Sequence, residues 1–152
     1  MRQNHQHNQC IKSSLEKAQQ VCNESGARLT PIRKKVLELI LQSHKPIKAY
    51  DLLAQLSNED HLEKPPTVYR ALDFLLENHL IHKIESSNSY IGCEFKHRQL
   101  DSKFLVCDEC HEVKEIHEPK LNKSLLEAGN KEGFTINQTN VEIHGICAEC
   151  VK

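Results

Sequence analysis

No stretch of the 152 residues is apolar for anything near the length of a membrane span, so the chain is not expected to cross a bilayer. Its start, Met1-Arg2-Gln3-Asn4-His5, lacks the apolar core of a secretory leader, which places the protein in the cytoplasm. Excess charge of either sign is missing too: 20 Lys and Arg face 21 Asp and Glu, a formal net charge of −1. Bulk electrostatics therefore does not announce a nucleic-acid binder. The distribution is only permissive, with 12 Lys and Arg against 10 acids in residues 1–85 and 8 against 11 in residues 86–152. A Gly-rich phosphate loop and a Gly-x-Ser-x-Gly elbow are both absent, which removes two common enzyme signatures. What remains, 27% charged and 38% hydrophobic, is an ordinary globular composition with room for one domain or two small ones.

Cysteine, by contrast, is plentiful. Seven cysteines in a cytoplasmic chain point to metal or redox chemistry rather than a disulfide scaffold. Four form two Cys-x-x-Cys pairs, Cys107/Cys110 and Cys147/Cys150, with 36 residues between them. Each pair puts two thiolates on one tight turn, and two such turns close a tetrahedral zinc cage with no open position. A closed cage is structural, and it staples a unit whose own core is thin. A thioredoxin-like redox pair would sit at a helix start inside a βαβ unit, a setting that neither pair has. Cys10, Cys22 and Cys93 stand apart, with Cys22 expected as a small core residue.

Residues 1–10 are polar and rich in Gln, Asn and His, and are expected to be a disordered tail. A short amphipathic helix from Ile11 to Asn23 would turn Leu15, Ala18, Val21 and Cys22 inward. Thr30-Pro31 is a helix start, a hydroxyl cap followed by proline, with Ile32, Val36, Leu37, Ile40 and Leu41 behind it. A third helix opens near Lys48 and buries Leu52, Leu53 and Leu56. A fourth follows Lys64-Pro65-Pro66, where Val68, Leu72, Leu75 and Leu76 form one apolar stripe. On its other arc lie Tyr69, Arg70, Asp73 and Glu77. In the first turn of an exposed helix, Arg70 suits the O6/N7 edge of guanine and Tyr69 suits base methyls or phosphate. Taken alone, such a pair is as well explained as a solvated face. The setting favours DNA: two short helices joined by a polar loop read as a helix-turn-helix. Strand-like runs Leu80–Glu85 and Tyr90–Cys93 around Ser86-Ser87-Asn88-Ser89 then add a wing.

Past Cys93 the pattern changes. Lys103–Val106 and Val113–Ile116 read as strands entering and leaving the first cysteine pair. Leu121, Leu125 and Leu126 mark a helix that Gly129 should stop, and Phe134–Asn137 and Val141–Ile146 alternate as further strands. The class is α+β: a winged helix-turn-helix domain at 11–91, a hinge at 92–102 and a small metal-stapled α/β domain at 103–152. A more diffuse set, His82, Cys93, Glu115 and His97, supplies nitrogen, sulfur and oxygen donors that favour zinc over magnesium or calcium. Scattered surface histidines are the plain alternative for that set.

Arg28-Leu29-Thr30-Pro31, Ala49-Tyr50-Asp51-Leu52-Leu53, Thr67-Val68-Tyr69-Arg70-Ala71-Leu72, Cys107-x-x-Cys110 and His144-Gly145-Ile146-Cys147-x-x-Cys150 together resemble the ferric uptake regulator family. From about residue 11 the motifs run in the family's order. The segment from Lys64 through Tyr90 and Cys93 is most similar to its zinc-uptake branch. Iron and peroxide sensors of the family show a His-rich run before the first cysteine pair, whereas Glu94 to Ser102 holds one histidine. The resemblance implies a homodimeric repressor that binds double-stranded inverted-repeat operators of zinc uptake genes when zinc is bound. It implies no membrane and no small-molecule substrate. Carried over, Tyr69 and Arg70 read bases, with Thr67, Arg28 and Tyr50 as further DNA contacts. The four paired cysteines hold structural zinc, and the 103–152 domain dimerises. His82, Cys93 and Glu115 hold one regulatory zinc, with His97 assigned by realignment because the family's fourth histidine falls nearer Leu100.

Three rivals remain at this level. An iron- or peroxide-sensing member of the same family is the nearest. The second is a zinc hydrolase or deaminase using the His/Cys/Glu set, and a deaminase would want His-x-Glu followed by Pro-Cys-x-x-Cys. His61-Leu62-Glu63 offers the first half, but Val106 and Ile146 stand where proline is needed, so the protein is read as no enzyme. The third is a zinc-stapled interaction module without DNA.

Overall fold

The computed structural model describes residues 2–43, 45–57, 64–93 and 101–151, which fall into two compact units, Met1–Cys93 and Glu94–Lys152. In the first, α1 (Arg2–Ser25) precedes α2 (Pro31–Gln42), β1 (Ile47–Lys48), α3 (Ala49–Ser57), α4 (Pro65–Glu77), β2 (Ile81–Ile84) and β3 (Ser89–Gly92). Thr30 keeps an extended backbone and its hydroxyl accepts from the Arg33 N–H, while Pro31 takes the first helical position, where no amide partner is needed. In α4 the residues buried are Val68, Ala71, Leu72 and Leu75, at spacings of three and four, so the opposite arc is left to solvent. They meet Val36, Leu37 and Ile40 of α2, Leu52 and Leu56 of α3, and Ala18 and Cys22 of α1 in one continuous core.

A three-stranded antiparallel sheet in the order β1-β3-β2 closes this unit. Ile81 and Tyr90 turn into the core, and the exposed turn Glu85–Asn88 joins β2 to β3. Helix α4 ends with His79 in the left-handed region, where the Leu80 N–H reaches back to the Leu75 carbonyl and ties off the last turn.

In the second unit, β4 (Asp101–Cys107), β5 (Val113–Glu115), α5 (Pro119–Lys131) and β6 (Thr139–Gly145) form a sheet in the order β5-β4-β6 with one helix. Strands β4 and β5 are antiparallel, and β4 and β6 are parallel. Asp101 fastens the start of the sheet: its carboxylate accepts from Asn122 Nδ2 of α5 at 3.1 Å and from Thr139 Oγ1 of β6 at 3.0 Å. Phe104 is fully buried, yet no residue of α5 is. Leu105 and Ile143, paired in register and so on one face, are exposed, as are Leu126, Phe134 and Ile146.

Several expectations give way here. Of the segment expected to be a disordered tail, residues 2–10 lie in α1, and Met1 lies outside the described residues. Once the Ala18–Cys22 segment is packed, each added residue gains a hydrogen bond without a new nucleation cost, and Gln and Arg are good helix formers. Val21 faces solvent rather than the core. Two-residue β1 carries too little pattern to be seen in advance. Phe134–Asn137 is not a strand, since among the described residues nothing pairs with it. Gly129 does not stop α5 but lies inside it, where a Cβ would come within 2.3 Å of Ile136 Cδ1. The stop is Gly133 at φ +76°, with the Phe134 N–H bonded to the Gly129 carbonyl. Gly133→Ala should therefore cost about 1 kcal/mol in urea unfolding, and Gly133→Asn clearly less, because Asn tolerates this region. An alanine variant as stable as the parent would contradict the assigned turn.

Candidate functional site

Parallel pairing of β4 with β6 carries Cys107 opposite Gly145, so both cysteine turns emerge at the same end of the sheet. The first turn is closed by the His111 N–H on the Cys107 carbonyl, with His111 in the left-handed region. The second is closed by the N–H groups of Cys150 and Val151 on the Cys147 carbonyl. The sulfurs of Cys107, Cys110, Cys147 and Cys150 all lie within 4.8 Å of one another, and the Cys110–Cys147 separation is 3.8 Å. A tetrahedron with metal–sulfur bonds of roughly 2.3 Å has edges of about 3.8 Å, so the donor set fits a zinc ion.

The protein environment already favours one thiolate. Hydrogen bonds from the backbone N–H groups of Cys110 and Cys147 hold the Cys107 thiol down to about 6. The hydrogen bond shared with the Cys147 sulfur, and then that with Cys110, push Cys150 up to about 12. Backbone amides thus favour negative charge on Cys107, and a metal ion taken up by the cage would release protons from the remaining sulfurs.

His82 lies on β2 and is buried, and Cys93 follows β3, its N–H on the Leu80 carbonyl. Their ligand atoms lie within 4.8 Å of each other, as expected for two side chains at one end of a hairpin. Glu115 belongs to the second unit, where it ends β5 opposite Phe104 and is buried. His97, and with it His61-Leu62-Glu63, lies outside the described residues.

The residues expected to contact DNA belong to the first unit. Tyr69 and Arg70 are exposed in the first turns of α4, and Tyr50 in the first turn of α3 is 79% exposed. Arg28 is exposed in the segment between α1 and α2, and Thr67 is half-buried. Two arrangements escape sequence reasoning. Arg33 stacks on Phe74, and His144 bridges Asp108 (Nδ1 to Oδ1, 3.0 Å) and Glu142 (Nε2 to Oε2, 3.5 Å). The alternating pattern of β6 contains the second but does not name its partners.

An α+β chain that joins an outward Tyr-Arg helix to a four-thiolate cage defines a metal-stapled protein with a surface suited to a groove. The chain belongs to the ferric uptake regulator family, whose family model matches residues 24–144. It is 42% identical over 139 residues to the zinc uptake regulation protein of Escherichia coli, covering 91% of this chain and 81% of that one. It is 27% identical over 138 residues to the peroxide operon regulator of Bacillus subtilis, covering 91% and 94%. Among solved structures, a zinc uptake regulator complexed with zinc and DNA superposes with a TM-score of 0.88 at 40% identity, covering 93% of this chain and 95% of that one.

The His144 clasp carries a pH consequence. The hydrogen bond to Asp108 raises the imidazole above its ordinary 6.5, so the pair favours the folded state below that value and fades as pH climbs through the raised one. An NMR titration should show His144 above 6.5 and Asp108→Asn should bring it down. An unmoved titration would remove the clasp.

Proposed function

We propose that the protein is a zinc-responsive transcriptional repressor that binds inverted-repeat operators of zinc uptake genes as a dimer when zinc is bound. The observation that carries this reading is the 42% identity, across nearly the whole chain, to a zinc uptake regulation protein. The peroxide regulator, at 27%, is the more distant kin, which sets the peroxide-sensing alternative behind the zinc one. In this reading α3 and α4 are a helix-turn-helix, and the β2–β3 hairpin is its wing. Tyr69 and Arg70 enter the major groove, and Arg28, Tyr50 and Thr67 add contacts to backbone or base. The exposed apolar residues Leu105, Leu126, Phe134 and Ile143 support pairing of two second units, since apolar area of this kind is normally covered. It acts in the cytoplasm, with no catalytic step.

Each chain holds two zinc ions in this account. Cys107, Cys110, Cys147 and Cys150 hold the structural one, which when bound cross-links two turns of a thin-cored unit. His82, Cys93, Glu115 and His97 hold the regulatory one. Because these ligands are contributed by both halves of the chain, occupancy biases how the reading units are presented. Two half-sites spaced by a helical turn, or a multiple of it, then receive two α4 helices together. A closed four-thiolate cage leaves no position for substrate, which argues against a deaminase.

Operator binding tests the reading directly. Arg70→Ala should cost roughly 1–3 kcal/mol per half-site at matched salt and relax specificity at the contacted base. Chelation should abolish binding of the unaltered protein. Full affinity in the Arg70 variant would displace α4 as the reading helix, and chelator-resistant binding would displace the zinc response.

A further inference from the structure

Arg33 stands in the first turn of α2, its own N–H capped by Thr30. Its side chain joins two other pieces of the first unit. Nη1 donates to the carbonyl oxygen of Arg28 at 2.6 Å. The guanidinium carbon lies 3.7 Å from the centre of the Phe74 ring. Burial pushes the Cys22 thiol near the end of α1 up, and the positive charge of Arg33 opposes that shift. The guanidinium plane covers an aromatic face while its edge serves a carbonyl, a geometry that a lysine ammonium does not reproduce.

The two groups it holds lie next to the DNA contacts named above. The carbonyl belongs to Arg28 itself, and Phe74 follows Arg70 by one turn of α4. Arg28 is exposed between Ala27, which packs against the core, and the buried Leu29, and the Arg33 bond adds a direct tie to its own carbonyl beyond the closing turn of α1 and the Thr30 cap. We propose that Arg33 is a positioning residue for DNA reading: it ties the Arg28 backbone to the reading helix, so that Arg28 and the Tyr69–Arg70 pair meet the duplex at one spacing. This rests on the DNA-binding reading above. Arg33 acts through Arg28, so removing both should cost little more than removing one.

The test is a double-mutant cycle on the full-length, zinc-loaded protein with operator DNA at matched salt. Arg28→Ala and Arg33→Lys should each weaken binding about tenfold, and the double variant should stay near the tenfold of Arg28→Ala alone. A double variant weakened by the product, about a hundredfold, overturns the proposal, as does an Arg33→Lys protein with full affinity. Phe74→Leu keeps apolar bulk without the ring and should show the same non-additivity with Arg28→Ala, which keeps the test open if the Arg33 variant fails to fold. Loss of folded protein would scale every affinity by one factor and so would not create that non-additivity. Arg70→Ala is the control. If it leaves affinity intact, the DNA reading itself falls; if it weakens binding while the cycle is additive, only the role of Arg33 falls.

Discussion

The second unit gathers four sulfur atoms at one end of a parallel strand pair. Phe104 is deeply buried there, but α5 buries no residue and several large apolar side chains face outward. A unit of this size with so little interior does not repay its conformational entropy by burial alone. The β4–β6 register sets Cys107 opposite Gly145, and the short turns beyond them bring the other sulfurs within reach. Backbone amides already stabilise charge on Cys107. In the proposed reading, a metal ion held by these sulfurs would couple its own affinity to the folding of this unit.

The first unit is built on the opposite principle. Its core runs through four helices and a sheet, and α4 has only one circumference to divide. Burying Val68, Ala71, Leu72 and Leu75 leaves Tyr69 and Arg70 nowhere to point but outward. Two prolines at the start of α4, the His79 stop and the stacking of Arg33 on Phe74 hold that helix in place. If α4 is the reading helix, as proposed, such rigidity suits a groove, because side chains that are already placed lose less entropy on binding.

Features with a local period or a chemical spacing were legible in the sequence. The stripe on α4, the Thr30-Pro31 start of α2 and the hairpin around Ser86–Asn88 are of that kind. The two cysteine pairs are legible because a tight turn is what Cys-x-x-Cys requires. Features set by tertiary partners were not legible. Phe134–Asn137 alternates like a strand but has none to pair with, and β1 is a strand only because β3 lies beside it. Gly129 looked like a stop, but helix stops depend on φ, and Gly133 supplies it. Arg33 and Phe74 are far apart in the chain, and nothing in either neighbourhood announces the other. The polar start of α1 shows the converse case, composition losing to cooperative extension of a packed helix.

The function proposed above turns on one claim: that occupancy of a second, labile ion makes a folded, paired protein grip its operator. The most direct measurement is operator affinity of the full chain with metal content counted, comparing dimers that carry one zinc per chain with dimers that carry two. The account predicts that the one-zinc form stays folded and dimeric but binds operator at least about tenfold more weakly. Equal affinity of the two forms would contradict it.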